Sequence, residues 1–348
     1  MTMAGSIIIT GANGSLAIPA VDHLLSKYPD ITAILTVRST SSSQDANTKR
    51  LEETISRHPG AKASIHALDL ASLQSVTDFA KTISTSIKSG QLPPLVSIIC
   101  NAYHWNLVSN PEVTSDGYEK TFQVNHLSHT SLVLRLLGSF SPDGGRVVLF
   151  SSEAHWPGKI LFERYPPMLP STDEEMDQLV KNPLGSLQDN KTEADHLGWG
   201  FQRYATSKLA ITAWMYALNS HLEKDRSPSI SKITAIAINP GALVDSRATR
   251  TNTPATMAVM GRILAPFLPL LKLKDKTARK SGAAGVDVIE LALDHIEPGE
   301  RGYFTMAKKD VSSPDSLDGG NQDRIWKKTL GWVGLTHPLS EDVGGLSV

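Results

Sequence analysis

The chain is poor in cysteine, in net charge and in long hydrophobic runs, and each scarcity excludes a class of protein. Among its 348 residues Cys100 is the single cysteine, which excludes an internal disulfide and favours a reducing compartment, the cytoplasm. The formal net charge of −1 gives no reason to expect nucleic acid as a partner. No uninterrupted apolar run approaches the roughly 20 residues of a membrane-spanning helix. We also expect no signal peptide.

The remaining composition is that of an ordinary globular protein, with 40% hydrophobic and 20% charged residues. The length allows two domains, but α/β folds of this size often form one, so we expect a single domain over residues 1–348. Runs rich in β-branched residues alternate with helical segments through the first half of the chain. This alternation predicts an α/β fold with a doubly wound parallel sheet, the Rossmann arrangement, whose ligands bind at the carboxyl ends of the strands.

A glycine-containing turn joins the first predicted strand to the first predicted helix. Residues 6–10 form a β-branched run, the sequence Gly-Ala-Asn-Gly-Ser follows at 11–15, and helical periodicity begins at Leu16. Glycines let the backbone approach a pyrophosphate, and a helix N-terminus contributes N–H groups and a positive dipole. Strand, glycine turn and helix in this order predict a dinucleotide site.

Arg38 follows the second predicted strand, residues 32–37. An acidic residue at this position would bind the ribose 2′-hydroxyl of NAD, whereas an arginine can meet the 2′-phosphate of NADP. The alternative is a surface arginine that merely follows a strand. We favour the phosphate interpretation, and with it NADPH over NADH as the cofactor.

Tyr204 and Lys208 lie four residues apart in a segment of helical character. Helix geometry places both side chains on one face, with Tyr204 near the predicted start of the helix. A nearby cation lowers the pKa of a phenol from about 10 and makes it a usable proton donor. Such a pair also occurs by chance on solvated helices, so its meaning depends on the motifs that precede it.

These motifs, taken in order, resemble the short-chain dehydrogenase/reductase family over about residues 6–248. Residues 10–17 resemble its Thr-Gly-x-x-x-Gly-x-Gly cofactor turn, and the Asp-Leu pair at 69–70 resembles its adenine pocket. The Asn-Ala pair at 101–102 resembles its Asn-Asn-Ala-Gly motif, and the Pro-Gly pair at 240–241 matches the one after its sixth strand. Arg38, the sequence Ser-Glu-Ala-His at 152–155 and Gly-Tyr-Phe at 302–304 look most like the retinol-dehydrogenase-like and fungal ketoreductase branches.

The resemblance implies a catalytic tetrad and a set of cofactor contacts. Tyr204 would give a proton to the substrate oxygen, and Ser152 would polarise the carbonyl group. Lys208 would lower the pKa of the tyrosine and hold the nicotinamide ribose, while Asn125 would hold a water. The implied cofactor contacts are Thr10, Gly11, Asn13, Gly14, Ser15, Leu16, Arg38, Asp69, Leu70, Asn101, Ala102, Tyr204, Lys208, Pro240, Gly241 and Leu243.

Three positions depart from the family pattern. Ser15 and Ala17 stand where the family prefers glycine, so each adds a Cβ near the phosphate or the helix–sheet contact. Gly14 could take over the permissive role, and the Ser15 hydroxyl could cap the helix or touch phosphate. Tyr103 replaces a glycine and is expected to place a bulky ring near the nicotinamide side of the cleft.

Two segments without a motif are predicted to form the substrate pocket. The insert 153–203, with a helix-capping pattern at 171–175, is expected to form one wall, and a surface embellishment is the alternative. Residues 242–280 are expected to form a lid. Their apolar stretch 258–271 could instead rest on a membrane surface, but its two prolines favour the lid.

Other features are expected to be structural. His126 and His129 share a helix but lack a third ligand, so no metal site is predicted. Residues 39–47 and 311–321 are rich in small polar residues and are predicted to be surface loops.

We favour an NADPH-dependent reductase that acts on a bulky apolar ketone or aldehyde in secondary metabolism. The same fold could run oxidatively as an NAD(P)-dependent alcohol, sterol or retinol dehydrogenase. A third alternative is a cofactor-binding protein without a redox step: a regulator, an isomerase or a cyclase. The expected partner is a small apolar molecule, and the resemblance also allows a homo-oligomer.

Overall fold

Eight strands form one sheet in the computed structural model, which describes residues 4–43, 45–181, 195–257, 259 and 268–335. The strands are β1 (Gly5–Ile9), β2 (Ile31–Val37), β3 (Ala63–Ala67), β4 (Leu95–Cys100), β5 (Gly145–Phe150), β6 (Ile233–Asn239), β7 (Gly302–Thr305) and β8 (Lys308–Lys309). The helices are α1 (Ala17–Lys27), α2 (Ala46–Ser56), α3 (Leu73–Lys88), α4 (Lys120–Phe122), α5 (Ser128–Leu136), α6 (Asp173–Lys181), α7 (His196–Lys224), α8 (Pro228–Ser231), α9 (Leu268–Lys274), α10 (Ser281–Ala292), α11 (Pro314–Leu317) and α12 (Gly319–Trp332).

The strand order is β3-β2-β1-β4-β5-β6-β7-β8. Neighbouring strands run parallel except β7 and β8, which are antiparallel. The order reverses between β1 and β4, and in such sheets ligands bind in the crevice at that reversal. The predicted doubly wound parallel sheet is therefore confirmed, and the crevice lies where the glycine turn leaves β1.

Helices cover both faces of the sheet, which explains why its central strands are continuously apolar. Every residue of β1 and of β6 is buried. Alternate side chains enter different cores: Ile8 packs in a core with Trp214 of α7, whereas Ile7 packs in a core with Ile289 of α10. A strand buried on both faces has few polar residues, such as Ser6 of β1, so it shows an apolar run rather than an alternation.

The helical segment that carries Asn125 is interrupted. A π-helix, Gln123–Leu127, separates α4 from α5 and carries Asn125 at its centre. Single π turns inside α-helices are frequent at functional sites. Continuous apolar periodicity does not distinguish a π turn from an α turn, so the sequence pattern could not show it.

The expected start of the catalytic helix at Tyr204 is wrong. Helix α7 begins at His196, inside the predicted insert, so Tyr204 lies in the helix interior. Its first turns contain Gly198 and Gly200, and because glycine is a poor helix former this segment was predicted to be a loop. Gly200 is needed because a Cβ there would lie 2.1 Å from the carbonyl oxygen of Asn106.

The loop predicted over residues 311–321 is also wrong. It contains α11 and the start of α12, and its polar residues serve as helix caps. Ser313 accepts a hydrogen bond from the N–H of Ser316 at 3.4 Å, and Asp318 accepts one from Asn321 at 2.7 Å. The predicted loop at 39–47 is irregular over most of its described residues, although α2 begins at Ala46 after an Asp45 cap.

Helix α10 packs closely on α1, the helix that follows the glycine turn. A Cβ on Gly285 would lie 2.7 Å from the Ala20 nitrogen and 2.9 Å from the Leu16 oxygen, so glycine permits this approach. Asp245 accepts hydrogen bonds from the N–H and hydroxyl of Ser281, at 2.8 and 2.7 Å, and so fixes the start of α10. Among the described helices, none has the length and apolar character needed to cross a bilayer.

Candidate active site

A cleft of about 770 Å³ opens at the carboxyl ends of the central strands. It brings together most of the residues that the sequence singled out. Of the implied residues, those that line it are Gly11, Asn13, Gly14, Ser15, Leu16, Arg38, Asn101, Ala102, Ser152, Tyr204, Lys208, Pro240, Gly241 and Leu243. Residues of the cleft that sequence reasoning did not assign to the site include Glu112, Lys120, Phe150, Ser246, Arg247, Thr251 and Asn252. His104 and Trp105, which are candidates for the cleft because they follow Tyr103 in the sequence, also line it.

The glycine turn is held in a form that leaves its backbone open to the cleft. Gly11 has φ +62°, and a Cβ there would lie 3.0 Å from Cα and Cβ of Ala102. The Asn101 amide donates to the carbonyl oxygens of Thr10 and Gly11, at 2.9 and 3.1 Å. Helix α1, which follows, has no side-chain cap at its N-terminus. Exposed backbone at an uncapped helix start suits the diphosphate of a dinucleotide.

Thr10 supports this turn from below and does not line the cleft. Its side chain is fully buried, and its hydroxyl accepts a hydrogen bond from the N–H of Ala102 at 3.0 Å. It also pairs with Nε2 of His129 at 3.0 Å. Thr10 therefore joins β1 to the loop after β4 and positions the turn.

The adenine-pocket pair lies outside the cleft. Asp69 is exposed, and its carboxylate accepts the N–H of Ala71 at 2.9 Å. Leu70 is buried in the core, and its carbonyl oxygen accepts the Ser128 hydroxyl at 2.6 Å. A cofactor role for this pair stays a prediction. Arg38, in contrast, lines the cleft and is exposed.

Tyr204 and Ser152 meet in the cleft. Burial raises the pKa of the Tyr204 phenol to about 12, and a hydrogen bond with Ser152 opposes that rise. The Ser152 hydroxyl also accepts the N–H of Ala154 at 3.2 Å, so the serine both caps a short turn and contacts the phenol. The phenol is therefore protonated at neutral pH in this structure, as a proton donor must be.

Lys208 does not lower the pKa of the phenol as expected. Its ammonium lies 5.5 Å from the centre of the Tyr204 ring and donates to the Phe150 carbonyl oxygen at 2.7 Å. Burial lowers the pKa of Lys208 itself to about 7. Lys208 is buried and Tyr204 is partly buried, and for each group the loss of solvent around the charged form has the largest effect on the pKa.

Asn125 uses its side chain to hold the loop after β4. Its amide donates to the His104 carbonyl oxygen at 2.9 Å and to the Ser207 hydroxyl at 3.0 Å, while its oxygen accepts the N–H of His104 at 2.7 Å. Ser207 in turn donates to the Tyr204 carbonyl oxygen at 2.6 Å. Asn125 thus links the loop to the catalytic helix, and the water-holding role stays a prediction.

His155 supports Ser152 in a way that sequence reasoning missed. Its Nδ1 lies 2.6 Å from the Ser152 carbonyl oxygen, and its Nε2 accepts the N–H of Ser313 at 3.0 Å. A backbone N–H can only donate, so Nε2 must be the bare nitrogen and Nδ1 carries the hydrogen. Burial lowers the pKa of His155 to about 4, which keeps this neutral form at physiological pH.

Aromatic rings surround the Tyr204 phenol. The ring centres of Trp105 and Tyr103 lie 5.4 and 6.5 Å from that of Tyr204, and Phe201 lies 6.2 Å away. The predicted placement of Tyr103 in the cleft agrees with the structure. Trp105 and Tyr103 line the cleft, whereas Phe201 is buried behind Tyr204, so the first two rings give the cleft an apolar side.

The two segments expected to form the substrate pocket differ in position. No described residue of the insert after Ser152 and before Tyr204 lines the cleft. Its helix α6 packs instead on α12, where Asp177 accepts the Trp332 indole N–H at 2.7 Å. The lid contributes Ser246, Arg247 and Thr251 to the cleft. Residues 182–194 of the insert, and 258, 260 and 261–267 of the lid, lie outside the described residues.

His126 and His129 have partners within the protein. Nε2 of His126 pairs with the Thr329 hydroxyl at 2.8 Å, and Nε2 of His129 pairs with Thr10. Burial lowers the pKa of each to about 3, so both are neutral. Across the described part of the chain, no cluster of three or more metal-ligating side chains occurs.

Comparison with known proteins places these features in a family. The family described as the AcuH dehydrogenase domain matches residues 247–341. Short-chain dehydrogenase iccH of Talaromyces variabilis is 28% identical over 361 residues, covering 96% of this chain and 97% of the relative. Dehydrogenase acuH of Aspergillus aculeatus is 45% identical over 87 residues, covering 25% of this chain and 89% of the relative.

A solved structure agrees with the fold. The NADPH-bound carbonyl reductase from chicken fatty liver superimposes with a TM-score of 0.57 at 16% identity, covering 89% of this chain and 99% of that one. The chain belongs to the short-chain dehydrogenase/reductase family. It is an NAD(P)-dependent oxidoreductase.

Proposed function

We propose that the protein reduces the carbonyl group of a bulky apolar ketone or aldehyde with NADPH. The observation that carries this proposal is that Tyr204 and Ser152 meet in the same cleft that the glycine turn lines. A proton donor and an anion cradle on one cleft are what hydride transfer to a carbonyl needs.

The side chains support a division of labour during reduction. Bound NADPH would supply the hydride to the carbonyl carbon. The Ser152 hydrogen, which meets the phenol in the structure, would turn to the substrate oxygen. Tyr204 then gives its phenolic proton to that oxygen as negative charge develops there. Lys208, with a pKa of about 7, can carry a proton beside the phenol at neutral pH.

Arg38 supports the choice of NADPH over NADH. It follows β2 and lines the cleft, at the position where NAD enzymes carry an acidic residue. Its guanidinium can form paired hydrogen bonds with a 2′-phosphate, which NADH lacks. The carbonyl reductase with the same fold, described as NADPH-bound, agrees with this choice.

The aromatic wall supports an apolar substrate. Trp105 and Tyr103 present ring faces beside Tyr204, and the lid adds Leu243. We include in the proposal that the chain is one domain, in which the lid completes the pocket. Two of the relatives are fungal, which agrees with a substrate from secondary metabolism.

Cofactor titration followed by turnover tests the proposal. The purified chain should be stabilised more by NADPH than by NADH at equal concentration, because at a fixed concentration the tighter ligand stabilises the folded chain more. A panel of apolar ketones should then consume NADPH, followed at the reduced-nicotinamide absorbance band. Turnover of alcohols with NADP⁺ but of no ketone would instead indicate a dehydrogenase. Cofactor binding without turnover in either direction would favour a non-redox role.

A further inference from the structure

Arg247, in the lid, is attached to the glycine turn by three hydrogen bonds. Its backbone N–H donates to the Ser15 hydroxyl oxygen at 3.1 Å, and its Nε donates to the same oxygen at 3.2 Å. Its Nη2 donates a third hydrogen bond, to the carbonyl oxygen of Asn13. The guanidinium therefore lies directly beside the backbone that forms the phosphate cradle.

Both members of this pair keep donors for a further ligand. A guanidinium has five N–H groups, and three of those of Arg247 have no hydrogen-bond partner among the described residues. The Ser15 oxygen accepts two hydrogen bonds, which leaves its own hydrogen to donate. Arg247 and Ser15 both line the cleft, so these donors are accessible from it.

The charge of Arg247 is also uncompensated at close range. No ion pair joins it to a carboxylate in the part of the chain that the structure describes. The nearest acidic influence is Asp45, which is engaged by the Asn13 amide at 2.8 Å and by Thr48 at 3.1 Å. Arg50 adds positive charge on the same side. A half-buried cation with spare donors favours an anionic ligand.

We propose that Arg247 and Ser15 together bind the diphosphate of the nicotinamide cofactor. This proposal rests on the proposed function and adds a phosphate-binding residue from the lid to it. Arg38 and Arg247 would then contact different phosphates. Arg38 would contact the 2′-phosphate that distinguishes NADPH, and Arg247 the diphosphate that NADPH and NADH share.

Binding measurements on Arg247→Gln and Arg38→Gln separate these roles, with NADPH, NADH, ADP and adenosine as the probes. Arg247→Gln should weaken NADPH, NADH and ADP alike, by about tenfold to a hundredfold, and leave adenosine unchanged. Arg38→Gln should weaken NADPH alone. Arg250→Gln is the matched control, because Arg250 is in the same short helical turn but does not line the cleft.

Two further variants keep the test decisive should Arg247→Gln fold poorly. Arg247→Lys keeps the charge and should recover part of the ADP affinity. Ser15→Ala should weaken ADP by less than Arg247→Gln, and the double variant should lose less than the sum, because the two residues share one ligand.

Equal ADP affinity in wild type and Arg247→Gln would overturn the inference while leaving the proposed function intact. Equal losses of ADP and adenosine would also overturn it, since they would show that Arg247 only positions the lid. Absence of NADPH and NADH binding to the wild-type chain would overturn both proposals.

Discussion

The two sides of the cleft are held in different ways. On the cofactor side, Asn101 and the buried Thr10 fix the glycine turn with hydrogen bonds between strand ends. On the substrate side, two loops hold each other through exposed contacts. The Trp105 indole donates to the Thr251 carbonyl oxygen at 3.0 Å, and Asn252 donates to that of Trp105 at 3.2 Å.

This difference teaches which side is preorganised. Hydrogen bonds shielded from water hold a fixed geometry, whereas exposed bonds between loops exchange readily with solvent. We infer that the cofactor side keeps its shape before binding, while the substrate side adapts. The following substitutions test that contrast, beginning with the largest expected effect.

Tyr204→Phe should separate chemistry from cofactor binding. It removes the proton donor but keeps the ring, so turnover should fall by about a hundredfold to ten-thousandfold. The dissociation constant of NADPH should stay within about twofold of the wild-type value, because the cradle is untouched. Steady-state kinetics and calorimetry provide the two measurements.

Tyr216→Phe is the control, because Tyr216 lies on the same helix but pairs with Ser312 at 2.9 Å, away from the cleft. Turnover should be retained in this variant. Full turnover in Tyr204→Phe would contradict the assigned proton donor.

Gly11→Ala should damage the cofactor side specifically. A Cβ at φ +62°, only 3.0 Å from Ala102, should cost about 1–3 kcal/mol of unfolding free energy and weaken NADPH binding. Gly282→Ala, in α10 with nothing within 4 Å, should be neutral or stabilising. Denaturant midpoints and NADPH titrations measure both effects. A neutral Gly11→Ala would mean that the turn is not rigid.

Lys208 should give the unfolding free energy a characteristic pH dependence. Its pKa falls from 10.5 in the unfolded chain to about 7 in the folded one. Between those values the unfolded chain binds the extra proton, so stability contributed by this group rises with pH and is lost as pH falls through about 7. Tyr204, with its raised pKa, acts in the opposite direction only at pH values above that window.

Chemical denaturation at pH 7 and at about pH 9.5 measures this effect. The gain in the wild-type chain should exceed that in Lys208→Met by on the order of 2–3 kcal/mol. Exposed Lys224, on the same helix, provides the control variant Lys224→Met, which should keep the wild-type slope. Equal slopes in wild type and Lys208→Met would show that Lys208 stays charged.

Trp105→Ala should produce the smallest effect and confine it to the substrate side. Loss of the ring should raise KM for an apolar ketone by about three- to tenfold, with a smaller change in NADPH affinity. Trp105→Phe keeps an aromatic face while losing the bond to Thr251, so KM should change less. A loss of NADPH affinity as large as the rise in KM would contradict the proposed difference between the two sides of the cleft.

The cofactor side was predictable because its signals are local. Strand β2, Ile31–Val37, agrees within one residue with the predicted residues 32–37, and the glycine turn follows β1 as expected. Other contacts of the site join distant positions. Arg247 reaches Ser15 across 232 positions, and His155 reaches Ser313 across 158. No periodicity or turn signal encodes such pairs, so sequence reasoning predicted neither contact.

Helix assignments failed where packing overrides composition. Gly200 lies inside α7 because the backbone of Asn106 approaches there, a demand that only the folded chain reveals. The π-helix at Gln123–Leu127 likewise has no marker in the sequence. The shift in the pKa of Tyr204 was mispredicted because burial, not the neighbouring lysine, has the largest effect.

The attachment of Asp245 to Ser281 limits how the cleft can open. Helix α10 begins at that contact and, through Gly285, rests against α1 beneath the phosphate turn. The start of the lid, at Asp245, is therefore fixed to α10 and α1 and moves only together with them. If the lid opens, only its residues after Arg247 are free to move away from the glycine turn. The entrance could then widen for a large substrate while the cofactor remains bound.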